Sequence, residues 1–251
     1  MSTWTIDAMK VGEADLPIEE LAFRDRSGRE LTIPLIMYVL RSGDETIVVD
    51  TGGPIDEEHI SRHHPYPYRC PPSMHPAAVL AELGVDPASV DLVVNTHLHW
   101  DHCGNNHLFE NARLVIHRAE IAYATDPLPY HRTAFELHDD VTPSWVGALD
   151  RLLLVDCETE LRPGVRVVPL PGHTPGSQGV VVDTVDGPYV IAGDCLDLFE
   201  NWDNGGAAHP RPSGSFTDLV AFHQSLVRMR AEGWEPLPSH DEQAVLTRRF
   251  G

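Results

Sequence analysis

The run Asp91-Leu92-Val93-Val94-Asn95 leads directly into Thr96-His97-Leu98-His99-Trp100-Asp101-His102-Cys103-Gly104, and this junction constrains the fold more than any other stretch. The apolar run reads as a short buried strand. Three histidines and one aspartate, packed between His97 and His102, then fall at the rim of a sheet. Imidazole and carboxylate hold zinc-like divalent metals at about 2.0–2.2 Å. In extended chain alternate side chains share a face, so His97 and His99 point the same way. A turn or helix start after Trp100 swings Asp101 and His102 toward a second position. One short segment can therefore serve two adjacent metals. A lone histidine here would read as a solvated loop residue; His-x-His-x-Asp-His reads as a ligand set.

Three later segments repeat the arrangement of a polar residue at a strand end. Gly172-His173-Thr174-Pro175-Gly176-Ser177 follows a strand at 165–170, Gly193-Asp194-Cys195 follows one at 189–192, and Ser239-His240-Asp241 follows one at 235–237. Glycine beside a ligand lets the backbone turn tightly and approach a metal closely. Further strands are predicted at 4–11, 31–41, 45–50, 113–117, 151–155 and 179–184, and helices at 76–83, 104–110, 119–125 and 217–231. Residues 59–75 read as an irregular surface loop and 126–146 as a long irregular segment of the kind that covers active sites. Strands in two groups, each followed by helices, predict an α/β four-layer αββα sandwich. The expectation is one domain over 1–251.

Composition narrows the partners. The 38 acids outnumber 18 Lys and Arg, for a formal net charge of −20. Such a charge repels nucleic acid and anionic membrane surfaces. A small-molecule substrate is expected, and the reading admits a homodimer. No secretory signal pattern and no apolar run of about 20 residues is present. Cys70, Cys103, Cys157 and Cys195 form no C-x-x-C pair and read as free thiols of a cytoplasmic protein. Cys103 and Cys195 neighbour ligand candidates but read as buried filler. Trp202, Phe216 and Phe222 read as core. Ser177 lacks a G-x-S-x-G elbow and reads as a turn residue, not a nucleophile.

The ordered set Asp50-Thr51-Gly52, His97-Leu98-His99-Trp100-Asp101-His102, Gly172-His173-Thr174-Pro175-Gly176, Gly193-Asp194 and Ser239-His240-Asp241 resembles the metallo-β-lactamase-fold hydrolases over nearly the whole chain. The resemblance implies one metal on His97, His99 and His173, a second on Asp101, His102 and His240, and Asp194 bridging both. It implies that Asp50 orients a ligand histidine by hydrogen bonding. Asp194 distinguishes the chain from true β-lactamases, and His99 from the flavodiiron oxidoreductases, which carry Glu there. Redox-inert zinc hydrolysis is favoured, with Mn, Fe and Co fitting similar donors.

Within that superfamily the chain looks most like the N-acyl-homoserine lactonase group, which includes pyridoxolactonase-like enzymes. The implied reaction is lactone opening by a hydroxide shared between two metals, with Asp101 and Asp194 as catalytic residues. The alternatives are another small ester, a cyclic amide or a thioester; a phosphodiester or an inactive metal-binding protein ranks below these. Lactonases of this group carry a tyrosine shortly after the bridging aspartate. Here 194–202 holds none, and Asp197 donates a hydrogen bond only if protonated. Tyr66, Tyr68, Tyr130 and His131 are candidate donors, or else packing aromatics.

Overall fold

In the strand Glu30–Ser42, Leu35, Met37 and Val39 enter one core while Ile36, Tyr38 and Leu40 enter another. The same two-residue alternation divides Ile47 and Val49 from Val48, and Leu92 and Val94 from Val93. Strands covered on both faces read as continuous apolar runs, which is what these sequences show. The computed structural model describes residues 3–251; residues 1 and 2 of the expected domain lie outside the described residues.

The first part of the chain contains β1 (Thr5–Pro17), α1 (Ile18–Leu21), β2 (Glu30–Ser42), β3 (Glu45–Val49), α2 (Glu57–His63), β4 (Tyr68–Arg69), α3 (Pro76–Glu82), β5 (Leu92–Val94), α4 (Trp100–Cys103), β6 (Arg113–His117) and α5 (Arg118–Thr125). The rest contains β7 (Leu152–Val155), β8 (Thr159–Arg162), β9 (Val165–Pro169), β10 (Gln178–Thr184), β11 (Gly187–Ile191), α6 (Phe199–Asp203), α7 (Leu219–Glu232), β12 (Glu235–Leu237), α8 (Glu242–Thr247) and β13 (Arg249–Phe250). Among the described residues, one sheet runs β13-β1-β2-β3-β5-β6-β7, with β4 paired to β1, and the other runs β12-β11-β10-β9-β8. Strands β3, β5, β6 and β7 are parallel, as are β11 and β12.

Three apolar cores separate four layers. The middle core lies between the sheets, with Tyr38, Leu40 and Val94 meeting Val167, Val180 and Ile191. Val79 and Leu80 of α3 and Ala124 of α5 cover the outer face of the first sheet. Phe222, Leu226 and Met229 of α7 cover the second, with Trp202 and Phe216 packed beside them. This is the αββα sandwich that the sequence predicts. Asp218 caps α7 by accepting from Val220 N and Ala221 N, and Gly233 ends it at φ 70°.

Several boundaries differ from the sequence reading. Strand β1 runs on to Pro17 through a register shift between Lys10 and Glu13. The edge strand β8 was not predicted. The helix expected at 104–110 is a one-turn helix at Trp100–Cys103 followed by a 3-10 turn at Asn106–Leu108. The segment expected to be wholly irregular at 59–75 includes part of α2, which Asp56 caps by accepting from His59 N. Only Ile60 of this helix is buried, so it has no apolar periodicity to read. Among the described residues no helix is long and apolar enough to cross a membrane, and all four cysteines are free.

Helix α2 packs on residues 126–146 through imidazoles. His63 stacks on His138 with centroids 4.1 Å apart, His59 Nε2 lies 2.9 Å from Glu136 Oε1, and His64 packs 4.6 Å from Trp100. The Nε2 atoms of His64 and His138 are buried without a hydrogen-bond partner, and His63 Nε2 lies 3.5 Å from Asp140 Oδ2. Burial, then the neighbouring rings of His138, His59 and His63, lowers His64 to about 4. Burial lowers His138 too. A histidine held below its unfolded value contributes full stability above that value, and the contribution falls as pH drops toward the folded value. Acidification from about pH 7.5 to about pH 5 should therefore increase limited proteolysis within 57–66 and 126–146 before the sheets are cut. Cleavage that stayed flat over this range would show that the imidazoles do not hold the two segments together.

Candidate metal centre

Five strands deliver the site. Asp50 follows β3, Thr96 and His97 follow β5, His173 follows β9, Asp194 follows β11 and His240 follows β12. The parallel pairing of β3 with β5, and of β11 with β12, brings their ends side by side. Asp50 adopts φ 58°, a left-handed conformation that costs a non-glycine residue energy and recurs at functional sites. Its Oδ1 accepts from Thr96 N at 2.7 Å, and its Oδ2 accepts from Thr96 Oγ1 at 2.8 Å. Oδ2 also lies 2.8 Å from His102 Nδ1. One buried carboxylate thus fixes both ends of the segment 96–102. Gly193 completes the approach of the second sheet: a Cβ there would lie 2.6 Å from Thr96 Cβ.

Asp194 is the meeting point. Its Oδ2 faces His173 Nε2 at 3.3 Å and His97 Nε2 at 3.7 Å. Its Oδ1 faces His102 Nε2 at 3.0 Å and His240 Nε2 at 3.2 Å. The two oxygens of one carboxylate therefore serve two different pairs of imidazoles. Asp101 Oδ2 lies 3.6 Å from His102 Nε2 and 3.7 Å from His240 Nε2, and His99 Nδ1 lies 3.0 Å from His173 Nε2. The donor atoms of His97, His99, His173 and Asp194 lie within 4.8 Å of one another, as do those of Asp101, His102 and His240. All seven ligand candidates read from the sequence fall in these two groups.

The donor chemistry fits divalent cations. His173 Nδ1 donates to Ser215 O at 2.9 Å and His240 Nδ1 to Pro34 O at 3.0 Å, which turns each Nε2 lone pair inward. His97 Nε2, His102 Nε2 and Asp194 Oδ1 are buried with no hydrogen-bond partner. Buried polar atoms left this way are expensive unless an ion takes them. Burial and the crowding of neighbouring imidazoles depress His97, His99 and His173. Burial also pulls on His102 and His240, yet the Asp194 carboxylate outweighs it; His102 rises well above its ordinary value and His240 to about 9. Against its own burial, Asp194 is held well below the usual carboxylate range by the surrounding imidazoles.

Sequence reasoning gave three residues no place in the metal centre. Thr96 links Asp50 to the ligand segment. Glu120, fully buried on α5, accepts from Leu98 N at 2.9 Å and from Thr174 Oγ1. Leu98 separates His97 from His99, and Thr174 follows His173, so one carboxylate spaces two ligand segments. Burial raises Glu120 to about 7. Gly176 permits this approach, because a Cβ there would lie 2.1 Å from Glu120 N. The third is Asp197, buried at 2% exposure, whose donor atom lies within 4.8 Å of those of Asp194 and His240. Burial and the adjacent Asp194 push its carboxyl well above the usual range. A lone threonine or acid carries no sequence signal for a role of this kind.

A cavity of about 260 Å³ opens onto His99, Asp101, His173, Asp194 and His240. Leu21, Ile33 and Leu35 form an apolar wall, and Glu20, Ser213 and Ser215 a polar one. Among the described residues no Lys or Arg lines it. Tyr66 and Tyr130 border the cavity, with Tyr66 Oη donating to Glu20 Oε1 at 2.9 Å. Tyr68 instead packs in the outer core against Trp100, and His131 pairs with Tyr123 Oη at 2.6 Å. Cys103 Sγ bonds Leu98 O and Cys195 lies in the core under α7, so both fill space as expected. Ser177 Oγ accepts from Thr174 N within its turn.

The chain is similar to several known proteins. A profile of the Metallo-beta-lactamase superfamily matches residues 37–232. An N-acyl homoserine lactonase of Bacillus sp is 28% identical over 185 residues, spanning 70% of each chain. The N-acyl homoserine lactonase AttM of Azorhizobium caulinodans is 26% identical over 247 residues, 94% of this chain and 92% of that one. A solved N-acyl homoserine lactone hydrolase, with the product N-hexanoyl-L-homoserine at its catalytic metal centre, has TM-score 0.79 at 20% identity, covering 98% of this chain and 97% of that one. AidC, a dizinc quorum-quenching lactonase in complex with the same product, has TM-score 0.72 at 14% identity, with 96% and 89% covered. At these identities the solved structures share the fold.

Glu120→Leu should weaken metal binding about 10–100-fold, as loss of an outer partner of a ligand does, while Glu120→Gln keeps part of the affinity. Chelator titration checks this. Equal affinity in Glu120→Leu and the natural protein would mean that Glu120 does not space the ligand segments.

Proposed function

The chain belongs to the metallo-beta-lactamase superfamily, and on that premise we propose that it is a dinuclear metal-dependent hydrolase that opens a small lactone. The observation that carries this reading is Asp194, whose two oxygens divide between two imidazole pairs beside a substrate-sized cavity. His97, His99 and His173 would hold one ion, Asp101, His102 and His240 the other, and Asp194 both. When bound, two zinc ions would supply Lewis acidity for a carbonyl oxygen and lower the pKa of a water molecule without redox change.

The chain's own residues do the rest. Asp50 and the carbonyls of Ser215 and Pro34 hold the rings of His102, His173 and His240 in one tautomer. Leu21, Ile33 and Leu35 receive the apolar part of the substrate and exclude water from that side. Asp101 and Asp194 border the cavity beside His102 and His240, where they are placed to take a proton and return it to the departing ring oxygen. Water adds to the carbonyl carbon, the ring C–O bond breaks, and a hydroxy acid leaves. The sequence relatives that act on N-acyl homoserine lactones support this substrate class. A cavity of about 260 Å³, at the small end for ligand sites, favours short acyl groups.

The cavity carries Glu20, Asp101, Asp194 and Asp197 and, among the described residues, no bordering Lys or Arg, which disfavours phosphodiesters and glutathione thioesters. Small neutral esters and cyclic amides remain the second reading. We read the chain as one cytoplasmic domain over 1–251 that meets a small molecule, not nucleic acid or membrane, and that admits a homodimer.

The metal-loaded protein should turn over short-chain acyl-homoserine lactones or γ-lactones, and a chelator should abolish that turnover. A protein holding two ions yet inert to every lactone in a graded panel would move the ester and amide reading to the front. His102→Ala and Asp194→Ala should each lower kcat/KM by roughly 10³-fold or more while leaving the circular dichroism spectrum unchanged. Full turnover in either variant would end the two-ion scheme.

A further inference from the structure

We propose that Asp197 is an additional ligand of the ion assigned to Asp101, His102 and His240, an inference that rests on the two-ion reading above. The backbone places it there. The segment after β11 is laced to the segment after β12: Ser239 N donates to Leu196 O at 3.0 Å, His240 N donates to Asp197 O at 3.0 Å, and Phe199 N donates to Asp241 Oδ2 at 2.8 Å. Asp197 and His240 therefore move as one unit. The donor atoms of Asp194, Asp197 and His240 lie within 4.8 Å of one another, and Asp197 borders the same cavity as Asp101, Asp194 and His240.

One oxygen of the side chain has no other partner. Asp197 is 2% exposed, and its Oδ2 is buried with no hydrogen-bond partner. Ser213 faces the carboxylate, but its single hydroxyl proton goes to Glu20 O at 3.1 Å. A buried carboxylate short of donors and next to a second carboxylate is unfavourable unless a cation neutralises it. Two divalent ions carry four positive charges; Asp101, Asp194 and Asp197 supply three negative ones. With Asp197 the second position has three carboxylates and two imidazoles, against three imidazoles and one carboxylate at the first. It is the more oxygen-rich and the more highly coordinated of the two.

Asp197→Asn and Asp197→Ala test the assignment in the full-length, metal-loaded protein. The readouts are ions retained per chain during titration with a chelator, and the visible absorption of protein loaded with cobalt(II). Both variants should keep one ion at the natural affinity and lose affinity for the other by more than about tenfold, the lower range for loss of even an outer partner. Their cobalt bands should intensify as the second position falls to a lower coordination number. The ion retained at the first position shows that the variants are folded. Two ions at the natural affinity with an unchanged cobalt spectrum would overturn the assignment and make Asp197 a substrate contact. A natural protein that binds fewer than two ions or opens no lactone would instead overturn the proposed function. The two failures are thus distinguishable.

Discussion

A charged carboxylate, Asp194, sits almost out of reach of water among four imidazoles. A charge so placed is tolerable only where opposite charge or strong donors surround it. The surrounding groups come from both sheets: His97 and His102 from the end of the first, His173 and His240 from the second. The sandwich therefore closes around one electrostatic requirement at its rim. The apolar core between the sheets fixes their separation, and the rim inherits that spacing.

Ties across the rim make the spacing specific. Gln178 N donates to Thr96 O at 2.9 Å, and Gln178 Nε2 to Asn95 O at 2.9 Å. Glu120 joins the His97–His99 segment to Thr174 from the outer helical layer. Asp50 holds Thr96 and His102 from within the first sheet. These ties act on backbone groups, on the hydroxyls of Thr96 and Thr174, or on the outward nitrogen of a ligand ring, and so leave the inward nitrogens free. Rigid support of this kind is what holds donors in place before an ion arrives.

Much of this was legible in the sequence, because its signals are local. The alternation in β2 and the apolar run of β5 mark strands, and the cluster His97 to His102 marks a site within one turn of chain. His173, Asp194 and His240 could be read from their position after strands. Helix α2 escaped because it buries only Ile60, and β8 because its burial pattern lacks a clean apolar face. Glu120, Thr96 and Asp197 escaped for a different reason. Each takes its meaning from partners distant in sequence, such as Glu120 with Thr174 and Asp50 with Thr96. Their residue types alone are ordinary.

The segments that roof the cavity contain none of the converging donors: His64 and Tyr66 come from the stretch around α2, Tyr130 and Thr133 from 126–146. Both segments hold together through ring packing and the His59–Glu136 contact, away from Asp194. The roof touches the donors at one point, where Phe135 packs 4.7 Å from the ring of His99. The architecture thus divides the site into two parts. The strand ends carry the donors, while most of the roof only shapes the space in front of them.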